Sequence, residues 1–208
     1  MAVRLRWAVM SPRKSVAETQ HTRQRIVERS LAIASVEGLE GLTIGRLANE
    51  LGMSKAGVLG HFGTKVSLQL AVVDAAATAF TEEVPRRVGD VRPGLPYLRA
   101  VCEAWVSYLE RRSLPGGCFF TAAAAEFDGR SGPVHDAVTA LNALWQRDLR
   151  VHVRRAVTSG DLPSDTDPDQ LVYELMGVML ALNHFLQLQH DEAAPARARR
   201  AFRRLLGT

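Results

Sequence analysis

Cysteine is scarce, with two residues in a chain of 208. That is too few for a disulfide framework and leaves a reducing compartment, the cytoplasm, as the expected setting. Long apolar runs are also missing. The strongest candidate, Leu171 to Leu188, contains Glu174, Asn183, His184 and Gln187, so it reads as a buried helix and no membrane partner is expected. Trp7 to Met10 is too short for a signal-peptide core. No sustained period-two alternation suggests a sheet. A Gly-x-Ser-x-Gly elbow, a His-Glu-x-x-His pair and a phosphate-cradling glycine loop are absent too. Ser11-Pro-Arg-Lys14 matches Ser-x-x-Lys only formally, in an arm without helix signals. The six histidines are scattered, and His184 and His190 stand six apart, poor spacing for shared ligation on one helix. No catalytic residue, metal or cofactor is therefore expected.

What is present is an ordinary globular composition, 47% apolar with a net charge of +4, enough to build a core. The charge is unevenly placed. Residues 1–65 hold 10 Lys+Arg and 5 Asp+Glu, whereas residues 66–208 hold 16 and 17. A basic module on a neutral body is the footprint of a nucleic-acid reader with a second function, although a solvated basic surface has the same composition.

Turn punctuation divides the chain into about nine helices, an all-α fold. Residues 1–17 read as a flexible basic arm with Arg4, Arg6, Arg13 and Lys14, and Met10 offers a second plausible start. A helix from about Thr22 ends at Gly38. Thr43 caps Ile44 to Leu51, Ser54 caps Lys55 to about His61, and Thr64 caps Lys65 to about Val84. Further helices follow around Leu98 to Leu109, Cys118 to Phe127, Pro133 to Gly160, Asp169 to Gln189 and Pro195 to Leu206. Pro133 and Pro168 sit where a missing N–H costs nothing.

The informative stretch runs from Thr22 to Ala76. Two short helices meet at Gly52-Met53-Ser54, with Gly52 free to take a positive φ. Ile44, Leu47, Met53 and Val58 fill the space between them. This is the pattern of a helix-turn-helix, whose second helix enters the DNA major groove, and also of an ordinary αα-corner. Thr22-Arg-Gln-Arg-Ile26, Gly41-Leu-Thr-Ile44, Leu47-Ala48, Leu51-Gly-Met-Ser-Lys55, Leu59-Gly-His-Phe62 and Thr64-Lys65 together resemble the TetR family of transcriptional regulators. The resemblance covers about 55 residues without gaps.

That resemblance implies a helix-turn-helix DNA-binding domain over 18–66 and a ligand-binding and dimerisation domain over 67–208. It implies a homodimer that binds a palindromic double-stranded operator, usually represses, and responds to a small molecule. It places Thr43, His61 and Lys65 at DNA-backbone contacts, and Lys55, Ala56, Gly57, Leu59 and Gly60 on the base-facing side. Family members often carry tyrosine at the position of Leu59 and another aromatic residue at that of Gly60. This chain has neither, which leaves Leu59 to meet a thymine methyl. Arg13, Lys14 and Arg23 enter the minor groove or add only unspecific attraction.

Most aromatics fall in the central helices. Trp105, Tyr108, Phe127, Trp145, His152 and Tyr173 are the candidate ligand-binding residues, for an apolar or aromatic effector. Leu171 to Leu188 is apolar almost all round and pairs with the last helix as the expected dimer face, Gly177 and Ala181 allowing close approach. The arginines at 197, 199, 200, 203 and 204 read as a solvated face. Cys102 and Cys118 read as packing residues, with a redox pair as the alternative. Two other functions fit the same residues: a sequestering module with a degenerate DNA-reading head, and a helical enzyme using the body cavity.

Overall fold

The computed structural model describes residues 16–207, so the expectations for the arm at residues 1–15 and the start at Met10 lie outside the described residues. Ten helical elements follow in chain order: α1 (Val16–Gly41), α2 (Ile44–Leu51), α3 (Lys55–Phe62), α4 (Lys65–Glu83), α5 (Pro85–Val88), α6 (Leu95–Glu110), α7 (Phe119–Phe127), α8 (Pro133–Thr158), α9 (Pro168–Gln187) and α10 (Ala194–Leu205). Among the described residues there is no strand. The nine expected helices are joined by one single-turn element, α5, in which Pro85 occupies the first turn.

Side-chain caps set four of the starts. The Oγ1 of Thr43 accepts from the N–H of Arg46 at 3.3 Å, Ser54 Oγ from Gly57 at 3.0 Å, and Thr64 Oγ1 from Ser67 at 3.0 Å. Each satisfies one of the donors a helix start leaves orphaned. Asp167 does the same for Asp169 at 2.8 Å and Gln170 at 3.4 Å, with Pro168 next in line. Gly52, at φ 64, closes α2 and lets the chain turn into α3. Gly38 was expected to end the first helix. It does break the regular helix, at φ 77 and ψ 166, and a short helical piece runs on beyond the kink to Gly41.

Two apolar cores hold these helices. One fills the space between α6, the second half of α8, α9 and α10, around Leu98, Leu109, Leu149, Leu175 and Phe202. The other joins α1 to α4 with α7 and the start of α8. Ile26, Leu47, Val58, Leu68, Phe119 and Phe127 all belong to it. α1, which packs against α2 of the helix-turn-helix, rests on α7 as well as on α4.

One expectation needs correction. The arginines of α10 are not a uniformly solvated face, because Arg199 bridges Glu103 at 2.7 Å and Glu110 at 2.5 Å while Arg197 pairs with Asp191. Carboxylates one helix away are invisible to a single-helix reading. The apolar segment Leu171 to Leu188 is buried on one side against the body core and open on the other, the side expected to face a partner chain. Tyr173, Leu180, Phe185 and Leu188 stand 75, 50, 37 and 70% exposed, and with Gly177, Ala181 and His184 they form one outward stripe. No helix among the described residues is long and apolar enough to cross a membrane.

Candidate functional site

The head is built so that α3 shows one side to solvent. Val58 and Phe62 are buried against the small core, as are Leu47 and Ala48 of α2. That anchoring leaves Lys55, Ala56, Leu59 and Gly60 exposed, with Gly57 and His61 half-buried at the edges. Lys55 makes no ion pair among the described residues, and its stem crosses Gly45, where an added Cβ would lie 3.1 Å from Lys55 Cε. A Cβ on Gly60 would meet nothing within 4 Å, so this glycine leaves open space for an incoming surface. At Gly57 it would lie 3.2 Å from Ser54 Oγ, which ties that glycine to the cap.

Thr43 is exposed, and as an acceptor in its cap it keeps its hydroxyl proton to donate. Lys65 is more committed. Its ammonium donates to the Glu40 carbonyl at 2.9 Å and to the Glu40 carboxylate at 3.2 Å, leaving one N–H for a phosphate. Glu40 is itself a hub. Hydrogen bonds from Gln69 and then Lys65 hold its carboxyl below the usual carboxylate range, and Arg130 stands 3.8 Å away.

A second site lies in the body, where a cavity of about 170 Å³ opens between α4, α6, α7, α8 and α9. Phe80 is its hub, with ring centroids 5.8 Å from Trp105, 5.2 Å from Trp145 and 6.2 Å from Phe120, all edge to face. Trp105 and Trp145 meet edge to face at 5.4 Å. Their indole nitrogens are buried without hydrogen-bond partners among the described residues. Asn142, Asp148, Thr81 and Thr121 supply polar atoms at the wall, and no lysine, arginine or histidine lines it.

The six candidate ligand residues divide. Trp105 and Trp145 line the cavity. Tyr108 is buried on another edge of Phe80, at 5.9 Å, and burial raises the pKa of its hydroxyl. Phe127 lies in the other core, beneath Arg130, whose guanidinium carbon is 5.4 Å from the ring. Tyr173 faces outward.

His152 stacks on Tyr97 at 3.7 Å, and its Nδ1 accepts from the Gly94 N–H at 3.2 Å. Burial lowers its pKa below the ordinary histidine value. Its Nε2 stands 4.0 Å from Asp148, which also accepts from the Tyr97 hydroxyl at 3.2 Å. His152 shares a face with Trp145, but seven residues carry it roughly 10 Å along the helix, past the cavity. Phe80 and Asp148 were missed. Phe80 continues the Val73–Ala76 face of α4, and Asp148 follows Trp145 by three residues, so spacing put both on buried faces without showing that they meet at one cavity. Cys102 and Cys118 are free and buried, and burial pushes the Cys102 thiol up to about 12.

Polar contacts join the two parts, the closest of them at Glu126. Glu126, near the end of α7, accepts from the backbone N–H groups of Leu39 at 2.8 Å and Glu40 at 2.7 Å.

Comparison with known proteins agrees with this architecture. Residues 94–202 match the family described as Tetracyclin repressor-like, C-terminal domain. The HTH-type transcriptional regulator SrpR of Pseudomonas putida is 25% identical over 172 residues, 82% of this chain and 77% of SrpR. A TetR transcriptional regulator from Chloroflexus aurantiacus superposes with a TM-score of 0.82 at 24% identity, covering 92% of this chain and 96% of its own. AibR, solved with isovaleryl coenzyme A and operator DNA, superposes at 0.74 with 20% identity, covering 88% of this chain and 97% of its own.

Proposed function

Because this chain belongs to the TetR family of transcriptional regulators, we propose that it represses by binding a palindromic operator as a homodimer, and that an apolar molecule in the body cavity weakens that grip. The observation that carries the DNA-binding half is the face of α3, where Lys55, Ala56, Leu59 and Gly60 stand exposed on a helix anchored from behind by Val58 and Phe62. Lys55 and Leu59 read base edges, Gly57 and Gly60 let the backbone approach, and Thr43, His61 and Lys65 hold phosphates. Residues 18–66 act as the reader and 67–208 as the body, in the cytoplasm, where the arm of residues 1–17 adds basic charge. The outward stripe of α9 and its groove against α10 form the twofold interface.

The cavity takes a neutral, largely aromatic molecule of one or two rings. Its size is close to that of apolar cavities that bind benzene, and its rings offer faces and edges. A buried anion would find no cation on the wall and a carboxylate, Asp148, in it. AibR's ligand, a coenzyme A thioester, is polyanionic, so this cavity selects a different class. The role proposed for the cavity is binding of an effector, in keeping with the family of regulators to which the chain belongs.

Two measurements test the reading. DNA recovered from a random pool should be an inverted repeat bound with nanomolar affinity that falls steeply between low and moderate salt. Recovery of DNA without symmetry would favour a sequestering protein whose head no longer reads. Naphthalene should bind and change the tryptophan emission, whereas 2-naphthoate should not. Tighter binding of the carboxylate would refute the effector class, and turnover of a bound compound would make the cavity an active site.

A further inference from the structure

The wall of the cavity and the grip on the head belong to one short helix. In α7, Phe120, Thr121 and Ala124 line the cavity, and Glu126, half a turn further on, holds the corner where α1 gives way to α2. Two N–H groups that no helical carbonyl can reach are thus satisfied by one carboxylate, a charge-assisted pair of bonds from a different part of the chain. The kink at Gly38 creates this receptor. Its positive φ turns Leu39 and Glu40 toward α7, and a Cβ on it would lie 2.7 Å from the Glu126 carboxylate. Arg130, just past α7, adds an ion pair to Glu40, which in turn holds Lys65 and Gln69 at the start of α4.

The other end of the same segment is fixed as firmly. The N–H of Cys118 donates to Asn183 Oδ1 at 2.9 Å, on α9. Gly116 donates to Ser35 Oγ at 3.3 Å and packs so tightly that a Cβ there would lie 1.6 Å from the Ser35 carbonyl oxygen.

We propose that Glu126 is the positioning residue that couples the cavity to the DNA-reading head. A molecule seated against Phe120 and Thr121 displaces α7, and the carboxylate carries the α1–α2 corner and α3 with it. The displacement reaches the head as a rigid-body change, because packed helices shift between discrete arrangements and do not deform continuously. This rests on the regulator reading above and adds to it the route of control. Glu126 lies outside both the cavity lining and the exposed face of α3, so its removal should change the orientation of the head and spare both binding surfaces.

The test uses the full-length dimer with a spin label at Asn49→Cys, an exposed α2 position, the native thiols being buried. With Glu126 present the label-to-label distance should be narrow, and naphthalene should shift it. In Glu126→Ala the distribution should broaden without ligand. Naphthalene should still bind with unchanged affinity but move the labels no further, and affinity for the selected inverted repeat should fall on the order of tenfold with its salt slope unchanged. Glu126→Gln keeps the shape and one acceptor and should fall between. It also serves if the alanine variant does not fold. A purely structural role would lower the melting temperature and leave the distances of the folded dimer as they were.

The proposal is overturned if the distance distributions of the variants superimpose on that of the parent and repeat affinity stays within twofold. If the parent protein itself shows no preference for a repeat, the operator reading fails, and the label distances still decide on Glu126.

Discussion

The head and the body of this protein are stabilised by different means. In the head, short helices are started by hydroxyl caps at Thr43, Ser54 and Thr64 and held by a few fully buried aliphatics. In the body α9 has such a cap, from Asp167, but α6, α7, α8 and α10 have no side-chain cap hydrogen bond; a larger core, with proline in the first turn of α6, α8 and α10, replaces it. The difference matches the tasks. A reader must present one rigid face, so its geometry is fixed residue by residue. A body that takes a small molecule keeps space between its helices, and the ring cluster about Phe80 tolerates that space because edge-to-face rings stay favourable at such separations.

The sharpest way to break this contrast is at the seam. Gly116→Val should cost about 4 kcal/mol or abolish folding, because no rotamer relieves a Cβ pressed onto the Ser35 carbonyl. A melting temperature within a few degrees of the parent would show that the loop and α1 are not in contact. Next in size is Leu47→Ala in the head core, expected to cost about 2–5 kcal/mol and to abolish repeat binding while naphthalene still binds. Loss of both activities together would mean that head and body unfold as one unit.

Lys55→Ala should cost about 1–3 kcal/mol at one base position only, read by repeating the selection with the variant; an unchanged preference would remove Lys55 from base reading. Lys65→Ala should weaken every duplex alike. It should lower the slope of log affinity against log salt by at most about 0.9, because two of its donors are held by Glu40.

The smallest expected effect is a pH dependence confined to the body. Burial keeps His152 below its ordinary pKa of 6.5, so the unfolded chain takes up this proton more readily than the folded one. The stability contributed by neutral His152 is complete above about 6.5 and is lost as pH falls toward the folded value. His152→Gln, which retains an acceptor for Gly94, should flatten that slope in thermal melts between pH 7 and 5. An unchanged slope would place the titration elsewhere.

These differences also explain what could be read from the sequence. Ser54, Thr64 and Gly52 act on neighbours within three or four residues, so the starts of α3 and α4 and the end of α2 were legible directly. The base-facing side of α3 came from the family resemblance, and the burial of Val58 and Phe62 on the opposite side agrees with it. The cavity was legible only as a class of residue. Trp105 and Trp145 have large apolar rings in the right helices, but which rings meet depends on how α4 crosses α6 and α8. That is how Phe80 entered and Tyr173 turned outward. Glu126 was out of reach, because its partners are two backbone amides 86 and 87 residues earlier, exposed by a kink at Gly38 where a helix end was expected.

The central claim is that two symmetry-related copies of α3 read successive major grooves of one duplex. It is tested most directly by comparing the selected repeat with a single half-site and with a repeat whose halves are moved apart by half a helical turn. Half-sites about 10 base pairs apart or a multiple of that should bind at least a hundredfold more tightly than either altered duplex. Equal affinity for the single half-site and the intact repeat would contradict the account.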